Sequence, residues 1–240
     1  MPPTPRRRGM SGMYKLALTA GHYLGTPGKR CLASIDPSET KEWQLNARVA
    51  DMVTDGLSRY DGIQLLRTDD TTGQTEVSLN QRVMAANRFG ADFYLSIHHN
   101  AGIRGGDGGG IVVYVHPDAA DRAREWQKEL YDALIEATGL VGNRAEPIAE
   151  ANLYECRETL APAVLLELGF MDSTTDTPLI LTEDFARKCA DAIVSVIVTH
   201  WGLTEKDTEV KPTNVEILEL LDQAQDALTK ARGKIAEMVG

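Results

Sequence analysis

"YLSIHHNAG", residues 94–102, carries an apolar run of strand length straight into two adjacent histidines. Successive residues of a strand point to opposite faces of a sheet, so only one of His98 and His99 is expected to reach a given site. Working outward, the run starts at Asp92 ("DFYLSI", 92–97), and four other stretches share its character: "YKLALTA" (14–20), "GIQLLR" (62–67), "GIVVYV" (110–115) and "PAVLLEL" (162–168). Segments of helical period occupy 42–60, 77–90, 118–138 and 183–201. Strands that alternate with helices predict an α/β domain built on a mostly parallel twisted sheet with helices on both faces. In such sheets polar groups that do chemistry collect in the crevice at the C-terminal ends of the strands. Gly21-His22 follows the first of these strands, His98-His99 ends the third, and Glu167 lies near the end of the last.

Composition narrows the class. The chain has 240 residues, 42% hydrophobic and 25% charged, enough for one sizeable core and an appendage. No stretch approaches the roughly 18–20 apolar residues of a membrane span. The start, "MPPTPRRRGMSG", is basic but lacks the apolar region of a secretory signal, so residues 1–13 are expected to be a disordered tail. The same absence predicts synthesis in the cytoplasm without a signal peptide. A net charge of −10 argues against nucleic acid as a partner, because that affinity rests on neutralising phosphates with Lys and Arg. Cys31, Cys156 and Cys189 are odd in number and scattered, which predicts reduced structural thiols.

The pattern changes after Gly202. Residues 14–202 read as one domain and the polar, proline-containing stretch 203–213 as a linker. Within 214–240, Ile217, Leu221, Ala224, Leu228, Ala231, Ile235 and Met238 recur at alternating spacings of four and three, a heptad seam with Asn214 at the preceding position. A short helix that associates with a second copy through residues 214–239 is the expectation. A helix packed back on its own domain is the alternative.

The histidines raise the question of a metal. A catalytic zinc takes three ligands from His, Asp, Glu or Cys and keeps a further position open. Beside His22 and the His98-His99 pair, Glu39 and Glu42 both lie where the long loop after the first strand enters a helix, and spacing does not choose between them. Acidic residues there can equally serve the helix dipole. His116 and His200 stand apart from any cluster and read as structural. "GGDGGG" (105–110) precedes a strand and opens no helix, and "GTPGKR" (25–30) lacks the remainder of a Walker loop, so neither supports nucleotide binding. The glycine stretch reads as a wall or flap beside the site, or as a mobile turn.

Five motifs in order, "LTAGH", "EWQLN", "LNQRVMAAN", "SIHHNAG" and "PAVLLELGFMDS", resemble the zinc-dependent N-acetylmuramoyl-L-alanine amidases of the amidase-3 family, bacterial cell-wall hydrolases and phage endolysins. The resemblance spans about residues 14–201. It implies zinc held by His22, by Glu42 as the start of a Glu-x-x-x-Asn pattern ending at Asn46, and by His98, with His99 at a variable position. It further implies Glu167 as the catalytic general base and then acid, and a weaker substrate contact at Asn100. The implied substrate is peptidoglycan, cut between the lactyl group of muramic acid and L-alanine. An endolysin that acts on the wall after release is the expected context, with a leaderless host enzyme close behind. A zinc peptidase acting within the stem peptide, or a silent wall-binding module, are the alternatives. The chain departs from the common family start in having Thr19-Ala20 before Gly-His and Tyr23 after it.

Overall fold

The computed structural model describes residues 12–206 and 214–239. It parts into two units, one ending at Glu205 and one beginning at Lys206. In the first, the elements in order are β1 (Tyr14–Ala20), α1 (Glu42–Leu57), β2 (Tyr60–Asp61), β3 (Ile63–Arg67), α2 (Leu79–Phe89), β4 (Phe93–Asn100), β5 (Ile111–Val115), α3 (Asp121–Thr138), β6 (Ile148–Glu150), α4 (Tyr154–Glu158), β7 (Ala163–Phe170), α5 (Thr177–Ile180), α6 (Glu183–Trp201) and β8 (Thr204–Glu205). Six strands form one sheet in the order β3-β1-β4-β7-β5-β6. The β3–β1, β1–β4 and β4–β7 pairs are parallel; β5 runs antiparallel to β7 and carries β6 parallel to itself.

Strand alternation sorts the side chains onto two unequal faces. Leu16, Leu18, Phe93, Leu95, Ile97, Val164, Leu166 and Leu168 join the large core under α1, α3 and α6. Ala17, Tyr94 and Ala163 take the other face, with Ala86 of α2, in a much smaller cluster. The same alternation continues to the end of β4, which puts Ser96 and His98 on the Tyr94 face and His99 on the face of α1. Trp126 of α3 anchors the large core, stacked on Phe93 at 4.2 Å and on His200 at 3.8 Å between centroids. His200 also pairs with Glu129 (Nδ1 to Oε2, 2.8 Å), so its role is structural. The Cys31 and Cys156 thiols are pushed up to about 12, mainly by burial, and all three cysteines are free.

Several boundaries differ from those read off the sequence. α1 stops at Leu57 rather than 60, because the chain turns at Ser58 to enter β2. The antiparallel pairing of β2 with β8 carries the first unit past Gly202 to Glu205, three residues into the expected linker. The remainder of that linker, 207–213, and residues 1–11 of the expected tail lie outside the described residues. The second unit holds α7 (Asn214–Val239), along which Leu218, Leu221 and Leu228 are exposed. Among the described residues no helix is long and apolar enough to cross a membrane.

Trp126→Ala removes the ring on which Phe93 and His200 stack. A loss of about 3–5 kcal/mol in urea unfolding is expected, and a loss under 1 kcal/mol would show that the core does not rest on this ring.

Candidate active site

Glu42 opens α1, and the start of that helix is fixed by the Lys41 amide donating to Gln44 Oε1 at 2.9 Å. The Glu42 amide donates back to Lys29 O at 3.0 Å, which pins the preceding loop beside it. The carboxylate is fully buried. Its Oε1 lies 3.0 Å from His98 Nδ1 and accepts the His99 amide at 3.3 Å; its Oε2 lies 3.3 Å from both His22 Nε2 and Lys29 Nζ. Burial alone would raise its pKa, but the contacts and charges of His22 and His98 outweigh that and hold it well below the usual carboxylate range. For His98 burial works downward and the Glu42 contacts upward, with a net rise.

His22 has a left-handed backbone, φ 66°, which is strained for a residue with a side chain. A buried guanidinium holds it there. Arg82 of α2 donates through Nη2 to His22 O at 2.8 Å, through Nη1 to Ala20 O and Thr19 Oγ1 at 2.6 Å each, and through Nε to Val77 O at 2.9 Å. The departure from the family start at Thr19 thus has a use, since its hydroxyl accepts from the clamp. Gly21 is equally constrained: a Cβ there would lie 2.0 Å from the His98 ring.

The structure brings His22, Glu42 and His98 together and leaves Glu39 outside. Glu39 is half exposed and paired with Arg30 at 3.0 Å. His99 faces away from the other two and is buried: its Nδ1 donates to Asn46 Oδ1 at 2.8 Å, while Asn46 Nδ2 donates to Gly21 O at 3.1 Å. That tautomer follows from the network, Asn46 Nδ2 being committed to a carbonyl. Burial pushes the His99 pKa down to about 3, so the ring is a neutral strut under the Gly21-His22 turn and not a rim residue. Asn100 turns its Oδ1 onto the Ala101 amide at 2.8 Å. His116 accepts the Asp118 amide at 3.1 Å, away from the cluster. The glycine stretch is tied down: the amides of Gly105, Gly108, Gly109 and Gly110 donate to Asp172 O (2.7 Å), Thr175 Oγ1 (3.0 Å), Asn143 Oδ1 (3.0 Å) and Asp176 Oδ2 (2.7 Å).

Glu167 stands next to His98 in the β4–β7 register. Burial, with Glu42 adding to it, raises its pKa to about 7 against the pull of His98 and Lys29, and its Oε2 is buried without a hydrogen bond. A cleft of about 240 Å³ opens beside His22 and His98, with Tyr23, Glu76, Arg82 and Glu155 in its wall. Arg82 and Glu155 escaped the sequence reading. Arg82 sits inside a motif quoted for its resemblance alone, and Glu155 lies on a helix too short to show periodicity.

His22, Glu42 and His98 each offer a donor atom, all within 4.8 Å of one another. His22 Nε2 and Glu42 Oε2, 3.3 Å apart, are buried without a hydrogen-bond partner, and His98 Nδ1 stands beside the same carboxylate. Two imidazoles and a carboxylate beside an open cleft are the donor set of a zinc site with room for a further ligand, so the residues fit that ion.

Residues 16–199 match the amidase-3 family, described as N-acetylmuramoyl-L-alanine amidase. The chain belongs to this amidase family. Among its curated relatives, the sporulation-specific N-acetylmuramoyl-L-alanine amidase of Bacillus subtilis is 32% identical over 178 residues, covering 74% of this chain and 64% of that protein. The chain thus spans less than two thirds of that relative's length. The N-acetylmuramoyl-L-alanine amidase CwlM of Bacillus licheniformis is 27% identical, covering 92% of this chain and 82% of that protein. Among solved structures, an N-acetylmuramoyl-L-alanine amidase of Clostridium difficile 630 superposes with a TM-score of 0.70 at 25% identity, over 80% of this chain and 98% of that one. These amidases share the α/β fold seen here, a mostly parallel sheet flanked by helices.

The raised pKa of Glu167 has a consequence for stability without metal. Between pH 4.5 and about 7 the folded chain holds a proton there that the unfolded chain releases, so this group's contribution falls as pH rises through that window. Glu167→Gln is expected to match the chelated parent below pH 4.5 and to exceed it above pH 7, by on the order of 3 kcal/mol if the full shift is expressed. Parallel urea curves at all pH values would contradict this.

Proposed function

We propose that the chain is a zinc-dependent amidase that hydrolyses the bond between the lactyl group of N-acetylmuramic acid and L-alanine in peptidoglycan. The observation that carries the reading is the meeting of His22, Glu42 and His98 at the C-terminal edge of the sheet with Glu167 one strand away, inside a domain that matches the amidase family over residues 16–199. Zinc held by the three residues supplies Lewis acidity, polarising the scissile carbonyl and lowering the pKa of water toward about 7. Glu42 sets the position of both histidines and offsets the positive charge. Glu167 takes the proton of the attacking water and returns it to the departing amine nitrogen, general base and then general acid, a role suited to a carboxyl poised near neutrality. Asn100, at the end of β4, is proposed to contact the substrate.

Purified chain incubated with peptidoglycan is expected to release new L-alanine amino termini, and none after chelation. Any other new terminus would move the cut into the stem peptide and favour a zinc peptidase; wall binding without turnover would favour a silent module. Glu167→Ala is expected to abolish release while zinc stays bound, and loss of zinc from that variant would refute its assignment to proton transfer.

The bacterial cell wall is the place of action under this reading. A phage or prophage endolysin is the finer version, while the curated relatives named above, a sporulation-specific amidase and an amidase of Bacillus licheniformis, support the hydrolase without a phage context. The second unit is proposed to join two copies of the chain through the α7 seam, on which Leu221 and Leu228 stand exposed seven residues apart. Removing the residues after Lys206 is expected to take the light-scattering mass from that of two full chains to that of one shortened chain; a shortened chain that keeps the full chain's oligomeric state would favour the helix docked on its own domain.

A further inference from the structure

We propose that Glu155 is a positioning residue for His98: its carboxylate accepts the Nε2 proton of the imidazole and so presents the Nδ1 lone pair to the metal. The proposal rests on the zinc reading above and goes beyond it, since Glu155 lies outside every motif that carries the family resemblance.

The alternation of β4 places Tyr94, Ser96 and His98 on one face, and Glu155 of α4 is directed at all three. Its Oε1 accepts from the Tyr94 hydroxyl. Its Oε2 accepts from Ser96 Oγ at 3.3 Å and lies 3.9 Å from His98 Nε2. A carboxylate that is 96% buried demands partners, and two hydroxyl donors hold this one in a fixed orientation. α4 is itself held against α2, where Asn87 Nδ2 donates to Glu158 O at 3.2 Å and Asn87 Oδ1 accepts the Leu160 amide at 2.9 Å. The aim of Glu155 is therefore set by the fold.

The His98 ring stands between two carboxylates. Nδ1 lies 3.0 Å from Glu42 Oε1, beside His22, while Nε2 faces Glu155 and has no hydrogen-bond partner. A neutral imidazole carries one proton. Without an ion, Nδ1 donates to Glu42 Oε1, because a carboxylate only accepts; with zinc among the donors, a proton on Nε2 would point at Glu155 and leave the Nδ1 lone pair for the ion. A proton kept on Nδ1 would set the Nε2 lone pair against a carboxylate and block the nitrogen among the donors. The 3.9 Å separation is that of an ion pair, and the proposal requires it to shorten to hydrogen-bond length. A carboxylate behind a ligating histidine fixes its tautomer and raises its basicity, and loss of such a partner typically weakens metal affinity about 10–100-fold.

The test is zinc competition against a chromogenic chelator with the full chain and Glu155→Gln, together with nitrogen-15 NMR of the histidines in the zinc-loaded parent. The variant keeps the size of the side chain and an acceptor for Tyr94. Its zinc dissociation constant is expected to rise about 10-fold or more while its zinc-free unfolding midpoint holds, and the parent spectrum is expected to show His98 protonated on Nε2. Parent-like affinity in Glu155→Gln, or a His98 proton on Nδ1, would overturn the proposal. The spectrum decides alone if the variant does not fold. A parent chain that binds no zinc would overturn the metal reading itself, a different result from unaltered affinity in the variant.

Discussion

A fully buried carboxylate, Glu42, governs the C-terminal edge of this sheet. Burying that charge is tolerable only because every direction around it is occupied: two histidine rings, a backbone amide and the Lys29 ammonium. Its position depends on the start of α1, and α1 depends on the large apolar face of the sheet, so a cluster geometry of a few ångströms is fixed by a core of many residues. Glu42 is thus both the product of the packing and the reason the two histidines stand where they do.

Strong periodic signals were legible in the sequence. All five strand candidates and the four long helices of the first unit form, most of them burying the apolar positions whose spacing revealed them. The antiparallel direction of β5 was not legible: "IVVYV" is buried much as a parallel strand would be, and the apolar pattern carries no sense of direction. β6 and α4 were missed because three and five residues are too few to display a period. The missed carboxylate of Glu155 rides on one of these short elements.

Within the site, strand alternation correctly separated His98 from His99, but the choice between Glu39 and Glu42 needed the family pattern. The structure gives the physical reason for that choice in the turn before α1, which sends Glu39 to Arg30 at the surface and Glu42 inward. The glycine-rich stretch shows the opposite failing. Its composition suggested mobility, whereas the Asn143, Thr175 and Asp176 side chains, distant in sequence, collect its amides.

The Arg82 clamp separates two groups of residues at and behind the cleft. Thr19, Ala20 and His22 share one guanidinium, so a change in any of them is felt by the others and by the donor set. Tyr23 and the exposed Glu76 border the same cleft outside that network. Changes at those two positions can therefore reshape the cleft while the His22, Glu42 and His98 donors stay in place.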